Sequence, residues 1–358
     1  MGYWQGDVAV SAVMTVLGPI AADQLGVTLM HEHLLLDATP WFRPSAAASL
    51  RPVASQPVSI EILGLLHNDP FMCRDNCELF DEETAIDEVR RFRLAGGDTV
   101  VDPTCRGIGR DHRALQRISR ATGLHVVMGT GYYLGPAHPP HVREMSANAI
   151  ADEIEQDVAE GVDGVRAGII GEIGISKDFT AEEEKVLRGA ARAQRATGIP
   201  LEVHLPGWER HGSRVLDVVA EEGANLEQTV LCHMNPSGKD FDYQAELANR
   251  GAWLEYDMIG MDYFYADQQA QSPSDEENAE AIVRLRDAGL LGSVLLSQDV
   301  FIKIQLVRYG GTGYAHILDH FVPRLRRHGF TDEEITMVLV DNPRQVFAGR
   351  ESRVDSRQ

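Results

Sequence analysis

From Asp81 onward the chain repeats one unit: an amphipathic stretch of helical period, a glycine near its end, and a short run of apolar residues. The helical patterns cover 82–94, 111–122, 149–160, 181–197, 214–222, 243–249 and 275–288, and a last one covers 314–327. The apolar runs after the first seven are 99–102, 125–128, 167–170, 201–203, 229–232, 253–256 and 294–297. Gly123, Gly198, Gly223 and Gly289 stand where a left-handed cap ends a helix. Runs this short and this apolar fit strands buried on both faces, in a parallel sheet covered by helices. Adding the run that leads into His31 makes eight strands. Eight strands alternating with eight helices close most simply into a (β/α)8 barrel of the TIM type. An open doubly wound sheet calls for a Gly-x-Gly-x-x-Gly turn after its first strand, and this chain lacks one there. No linker interrupts the series, so residues 1–358 read as one domain.

Two segments fall outside the repeat. Residues 8–27 read as a hairpin leading into the first strand. Residues 38–80 carry Pro40, Pro44, Pro52, Pro57 and Pro70 and are too long for an ordinary connection, which reads as a lid or substrate loop. Its apolar patch 60–66 is expected to form a helical turn, while Trp41, Phe42, Phe71 and Met72 either line a pocket or pack the loop to the body.

A formal net charge of -21 argues against nucleic acid as a partner, since its phosphates would be repelled. No run approaches the roughly 20 apolar residues of a membrane span. No Lys or Arg precedes Arg43, so a secretory signal with a basic start is not expected. Cys73, Cys77, Cys105 and Cys232 are too scattered for a disulfide framework. A cytoplasmic protein with a small-molecule substrate is the expectation.

Barrel enzymes carry their chemistry at the C-terminal ends of the strands. Here the first strand ends in His31 and His33, the fourth in Gly171-Glu172, the fifth in His204, the sixth in His233 and the eighth in Asp299. Each has an ordinary explanation as a helix cap or a solvated strand end, but that explanation must be repeated six times on one rim. Four imidazoles and two carboxylates exceed what one catalytic zinc takes and suit two divalent cations sharing a carboxylate. The donor set points to zinc, with manganese, cobalt or iron as alternatives. Alternation along the strands is expected to turn Glu32 and Glu202 away from this face, leaving them, with His211, structural or solvated.

Thr28-Leu29-Met30-His31-Glu32-His33, Gly168-Ile169-Ile170-Gly171-Glu172-Ile173-Gly174, the two single-histidine strands and Asp299 together resemble the phosphotriesterase family of the amidohydrolase superfamily. The likeness runs from about Val16 to Phe347. Within it, 101–110, 233–236 and 257–262 resemble the phosphotriesterase-related branch. The resemblance implies that His31, His33 and Asp299 hold the buried metal, His204 and His233 the more exposed one, and that Glu172 bridges them. Organophosphate-degrading members place a carboxylated lysine where this chain has Glu172, which puts phosphotriester hydrolysis in doubt and makes it at most a weak activity. The resemblance also implies a homodimer.

The expected chemistry is metal-assisted hydrolysis, with Asp299 collecting the proton of the attacking water and His233 passing it outward. Lactones and carboxyl esters come first as substrates, because the family includes many lactonases; N-acyl amides come second. A different class of reading is a binding protein for an apolar ligand. Candidate substrate residues are Arg106, Tyr132, Tyr133, Trp208 and Asp257. Arg106 suits a carboxylate or phosphate, or else a structural ion pair with a neighbouring Asp. Tyr309-Gly310-Gly311-Thr312-Gly313 either seats a phosphate or makes a tight turn.

Overall fold

The computed structural model describes residues 12–349. Eight parallel strands make the central sheet: β1 Thr28–Leu29, β2 Thr99–Asp102, β3 His125–Thr130, β4 Ile169–Gly174, β5 Leu201–His204, β6 Thr229–Leu231, β7 Trp253–Tyr256 and β8 Val294–Leu296. They neighbour one another in chain order, β1 and β8 standing at the two ends of the series. The ring is drawn together just past those end strands. Asp299 N–H donates to the His31 carbonyl at 3.2 Å, His33 N–H to the Val300 carbonyl at 3.2 Å, and His31 N–H to Ser297 Oγ at 2.9 Å. The architecture is the eightfold barrel expected from the repeat.

Helices α1 Glu82–Leu94, α2 His112–Thr122, α3 Ala147–Ala159, α4 Ala181–Thr197, α5 Gly212–Glu221, α6 Phe241–Asn249 and α7 Asp275–Asp287 follow the strands in turn. Local sequence sets their starts. Asp81 and Asp111 accept from the first backbone N–H groups of α1 and α2, and Thr180 with Glu183 and Ser274 with Glu277 form capping boxes on α4 and α7. Gly123 and Gly198, both at φ 73°, end α2 and α4 in the left-handed conformation that glycine adopts without penalty. The last helical stretch departs from the regular helix expected over 314–327. It begins as a π turn, Ile317–Phe321, before the α-helical α8, Val322–Arg327. Pro323 has no N–H to give to the preceding turn, so a regular ladder cannot run through it.

Inside the barrel, Met30, Val101, Val127, Ile169, Val230, Trp253 and Leu295 form one buried cluster. Val13, from the hairpin Ala12–Thr15 and Gly18–Ala21, and Val346 and Phe347 join it; residues 8–11 of the expected hairpin lie outside the described residues. A second, larger cluster fills the space between strands and helices. Segment 38–80 contains the helix Ile60–Leu66, and its base is tied by antiparallel pairing of Leu36–Asp37 with Glu78–Leu79. All four cysteines are free and buried. Among the described residues no helix is long and apolar enough to cross a membrane.

Candidate active site

β1 stops at Leu29 and the chain bends at Met30 and His31, so His31 and His33 stand beyond the strand, with Glu32 directed between them to the opposite side. Glu32 is fully buried and accepts from Gln298 N–H at 2.8 Å, Val300 N–H at 2.9 Å and Ser297 Oγ at 2.8 Å. Those bonds hold the turn that carries Asp299. Burial pushes the Glu32 carboxyl up to about 7, against the opposing pull of these donors. His33 Nδ1 lies 2.7 Å from Thr104 Oγ1, which leaves Nε2 3.4 Å from Asp299 Oδ1.

Glu172 sits at the centre of the group, and its two oxygens face different partners. Oε1 is 2.9 Å from His204 Nδ1 and 2.9 Å from His233 Nε2, while Oε2 is 3.6 Å from His31 Nε2. His31 Nε2 is in turn 3.6 Å from Asp299 Oδ1, and the two outer imidazoles approach to 2.8 Å. The six side chains named from the sequence therefore meet at one place. His233 and Asp299 reach it with φ of 56° and 46°. Non-glycine residues held in that region cluster at functional sites, where the surroundings enforce the conformation.

The electrostatics match this crowding. Burial would raise the Glu172 carboxyl, but the charges of His31 and His204 and hydrogen bonds from His204 and His233 hold it well below the carboxylate range. Burial would lower His31, yet Glu172 and Glu202 hold it well above its ordinary value. Burial also opposes the charge on His233, and Asp257 outweighs it and raises the ring. For His204 burial wins and the value falls.

The donor set fits divalent cations. His31, His33 and Glu172 form one group able to hold an ion, and Glu172, His204 and His233 form another, each with donor atoms within 4.8 Å of one another. His31 Nε2 is buried and has no hydrogen-bond partner among the described residues. A buried polar atom without a partner is costly, and an ion removes the cost. Donors around a tetrahedral zinc, about 2.0–2.2 Å from it, stand roughly 3.4 Å apart; the contacts above bracket that spacing.

A cavity of about 400 Å³ opens over this floor, where His33, Glu172, His204, His233 and Asp299 are exposed to it. Trp41, Phe71, Tyr133, Trp208, Met258 and Phe301 form largely apolar walls, and Arg43, Lys177, Asp178 and Asp267 stand around the mouth. Arg43 Nη2 pairs with Asp267 Oδ1 at 3.2 Å, joining segment 38–80 to the loop after β7. Tyr133 Oη lies 3.1 Å from His204 Nδ1, and the Trp208 ring packs 5.5 Å from that of Tyr265. Trp41 and Phe71 thus line the cavity, whereas Met72 is buried in the packing of the loop and Phe42 packs against the body.

Three candidate substrate residues lie elsewhere. Arg106 pairs with Asp157 Oδ1 at 2.6 Å and with Glu153, so the structural ion pair replaces the anion-binding role. Tyr132 donates to Glu153 Oε2 at 2.8 Å and is buried. Glu153 and Asp157, four apart on α3, face the end of β2 and take both residues; that helical spacing was the available signal. Asp257 is fully buried behind His233, accepting from its N–H at 2.9 Å and standing 3.0 Å from its Nδ1. The glycine turn at 309–313 is spent internally. Gly311 N–H donates to the Leu306 carbonyl at 3.0 Å and Gly313 N–H to the Gln305 carbonyl at 2.8 Å.

Glu202 corrects the sequence reading. Positions 202 and 204 are two apart and share a face, so Glu202 lies on the His204 side, one level deeper. Its Oε1 is 2.7 Å from His31 Nδ1. Glu255 and Cys232 stand beside it, and none of the three is solvated. The parity rule alone was enough to find Glu202. His211 is structural, its Nε2 2.8 Å from the Lys177 carbonyl.

A family model described as the phosphotriesterase family matches residues 11–347. The N-acetyltaurine hydrolase of Tetraodon nigroviridis is 35% identical over 93% of this chain and 97% of its own length. The crystal structure of a resiniferatoxin-binding protein from Rhodobacter sphaeroides superposes with a TM-score of 0.93, at 57% identity over 94% of this chain and 95% of that one. A variant of a Deinococcus radiodurans PTE-like lactonase gives 0.74, at 25% identity over 94% and 99%.

Proposed function

The chain belongs to the phosphotriesterase family, and on that premise we propose that it is a two-metal hydrolase of small acyl compounds. The observation that carries this reading is Glu172, which turns one oxygen toward His204 and His233 and the other toward His31. His33 and Asp299 complete the inner group. Divalent cations bound there, zinc first by the imidazole-rich donor set, would supply an activated water at neutral pH and polarise the substrate carbonyl.

The chain's own groups do the rest. Asp299, held ionised by His33 and His31 against the effect of burial, faces the cavity and receives the proton of the attacking water. The same carboxyl returns that proton to the departing oxygen or nitrogen. His233, backed by Asp257, offers an outward route. Tyr133 Oη beside His204 orients the acyl oxygen, and Trp41, Phe71 and Trp208 keep bulk water from the reacting carbonyl.

Amide hydrolysis of short N-acyl compounds is the first reading of substrate, supported by the name of relatives matched along nearly their whole length. Lactone or ester hydrolysis is the second, favoured by the apolar walls and the lactonase likeness. The test is to assay zinc-, manganese- and cobalt-loaded protein against N-acyl amino compounds, lactones, aryl esters and a phosphotriester, each with a chelator control. Chelator-sensitive turnover of an amide supports the first reading, and turnover of lactones alone supports the second. Tight binding of apolar ligands with no turnover of any of them would leave a binding protein instead.

A further inference from the structure

Beneath the cavity floor lies a level of the barrel interior that none of these steps uses. Val230 and Leu295 point into it from β6 and β8, and Trp253 lies one step deeper on β7. In the sheet register Glu202 stands beside Val230, and Glu255 beside Leu295. Both glutamates therefore occupy an inward level that neighbouring strands give to apolar side chains, and both are fully buried. Cys232 Sγ lies between them, 3.5 Å from Glu202 Oε1 and 3.7 Å from Glu255 Oε2. Glu202 Oε2 and Glu255 Oε1 have no hydrogen-bond partner among the described residues. Such an arrangement costs stability relative to a valine or leucine of the same level, so its presence calls for a role other than packing.

The role follows from what the neighbouring rings do. His33 and His233 each have the nitrogen away from the cavity engaged, by Thr104 and Asp257 respectively. For His31 that nitrogen is Nδ1, and three carboxylates surround it. Glu202 Oε1 is nearest at 2.7 Å, with Asp257 Oδ2 at 3.6 Å and Glu255 Oε2 at 3.7 Å. The Glu202 contact lies off the N–H line, so it acts by proximity and charge more than by an aligned bond. We propose that Glu202 is the positioning residue of His31: it keeps the ring proton on Nδ1 and so presents Nε2 to the cavity as an electron pair for a metal. A carboxylate behind a ligating histidine fixes the tautomer and raises the basicity of the ligand nitrogen. This inference rests on the reading of His31 as a metal ligand.

The test measures zinc affinity of the full-length protein by competition with a chromophoric chelator, alongside thermal melts of the metal-free form. Glu202→Gln and Glu202→Leu are expected to weaken zinc binding ten- to a hundredfold. The metal-free melting temperature is expected to stay level or rise, most in the leucine variant, which fills the level as the other strands do. Glu255→Gln is expected to bind zinc within threefold of wild type. In the zinc-loaded protein the ring-nitrogen NMR shift of His31 is expected to move in Glu202→Gln and to stay in place in Glu255→Gln. Wild-type affinity in both Glu202 variants would overturn the proposal, as would an equal loss in Glu255→Gln. Failure of the wild-type protein itself to bind zinc would instead overturn the metal-centre reading.

Discussion

The backbone N–H of Asp299 donates to the carbonyl of His31 at 3.2 Å, across the seam where the last strand meets the first. The bond that draws the ring together therefore also sets the spacing between two of the side chains on the cavity floor. Glu32, on the same short stretch, reaches across the seam to Gln298 and Val300. The contacts that seal the barrel are also the ones that hold the site.

Replacing Asp299 with Asn keeps that backbone bond and the shape of the side chain while removing the group that takes up the proton. Turnover is expected to fall about 10²–10⁴-fold with metal content largely retained. Steady-state kinetics paired with elemental analysis checks this; activity within tenfold of wild type at full metal loading would remove Asp299 from the proton transfer.

Glu172→Gln takes away the one side chain that faces both histidine groups. Metal content per chain is expected to drop toward a single ion or none, read by inductively coupled plasma mass spectrometry after gel filtration. Two ions per chain in this variant would mean that the other five side chains suffice.

Tyr133→Phe and Arg106→Ala should part company. Tyr133 faces the cavity, and loss of one neutral hydrogen bond of about 1 kcal/mol corresponds to roughly fivefold in kcat/KM. Arg106 faces α3, so its replacement is expected to leave KM unchanged and to lower thermal stability instead.

Asp157 is buried and serves Arg106, Arg110 and Thr130 at 2.6, 2.8 and 2.6 Å. Asp157→Asn leaves the buried Arg110 without its charge partner and Arg106 with Glu153 alone, and is expected to cost about 3–5 kcal/mol in chemical denaturation. A cost below about 1 kcal/mol would place the network with ordinary surface pairs.

Glu222 joins α4 to the end of α5 through Arg192 and Arg188, and hydrogen bonds from those guanidinium groups bring its carboxyl down to about 2. A folded value below the unfolded one means a stabilisation fully present above the ordinary carboxylate range and lost as pH falls toward 2. The melting-temperature gap between metal-free wild type and Glu222→Gln is expected at pH 7 and should narrow steadily below pH 4. A gap that stays constant down to pH 3 would detach it from this carboxyl.

The barrel was legible because each unit carries its own punctuation, such as Asp111 before α2 and Gly123 after it. The six floor residues were legible for a similar reason: strand ends are local features, and the fold brings them together. What stayed hidden depends on partners far off in the chain. Arg106 reads equally as an anion receptor or as half of a structural ion pair, and only α3, which supplies Asp157 51 residues later, decides between them. The π turn ahead of Val322 follows from Pro323, visible in the sequence but compatible with several distortions. Glu202 was misread although parity was enough to place it.

Segment 38–80 enters and leaves through the paired Leu36–Asp37 and Glu78–Leu79, with Ala38 N–H also bonded to the Cys77 carbonyl at 2.9 Å. What it lends the cavity, Trp41, Arg43 and Phe71 among them, lies between those two stem strands, while none of the six floor residues does. Divergence within such a scaffold can therefore rewrite the insert while the six floor residues stay in place. For an engineer the stem marks the graft point, and a foreign insert sewn between Asp37 and Glu78 would also have to replace the braces that Asp75 and Asn76 give to Lys303 and Ile304.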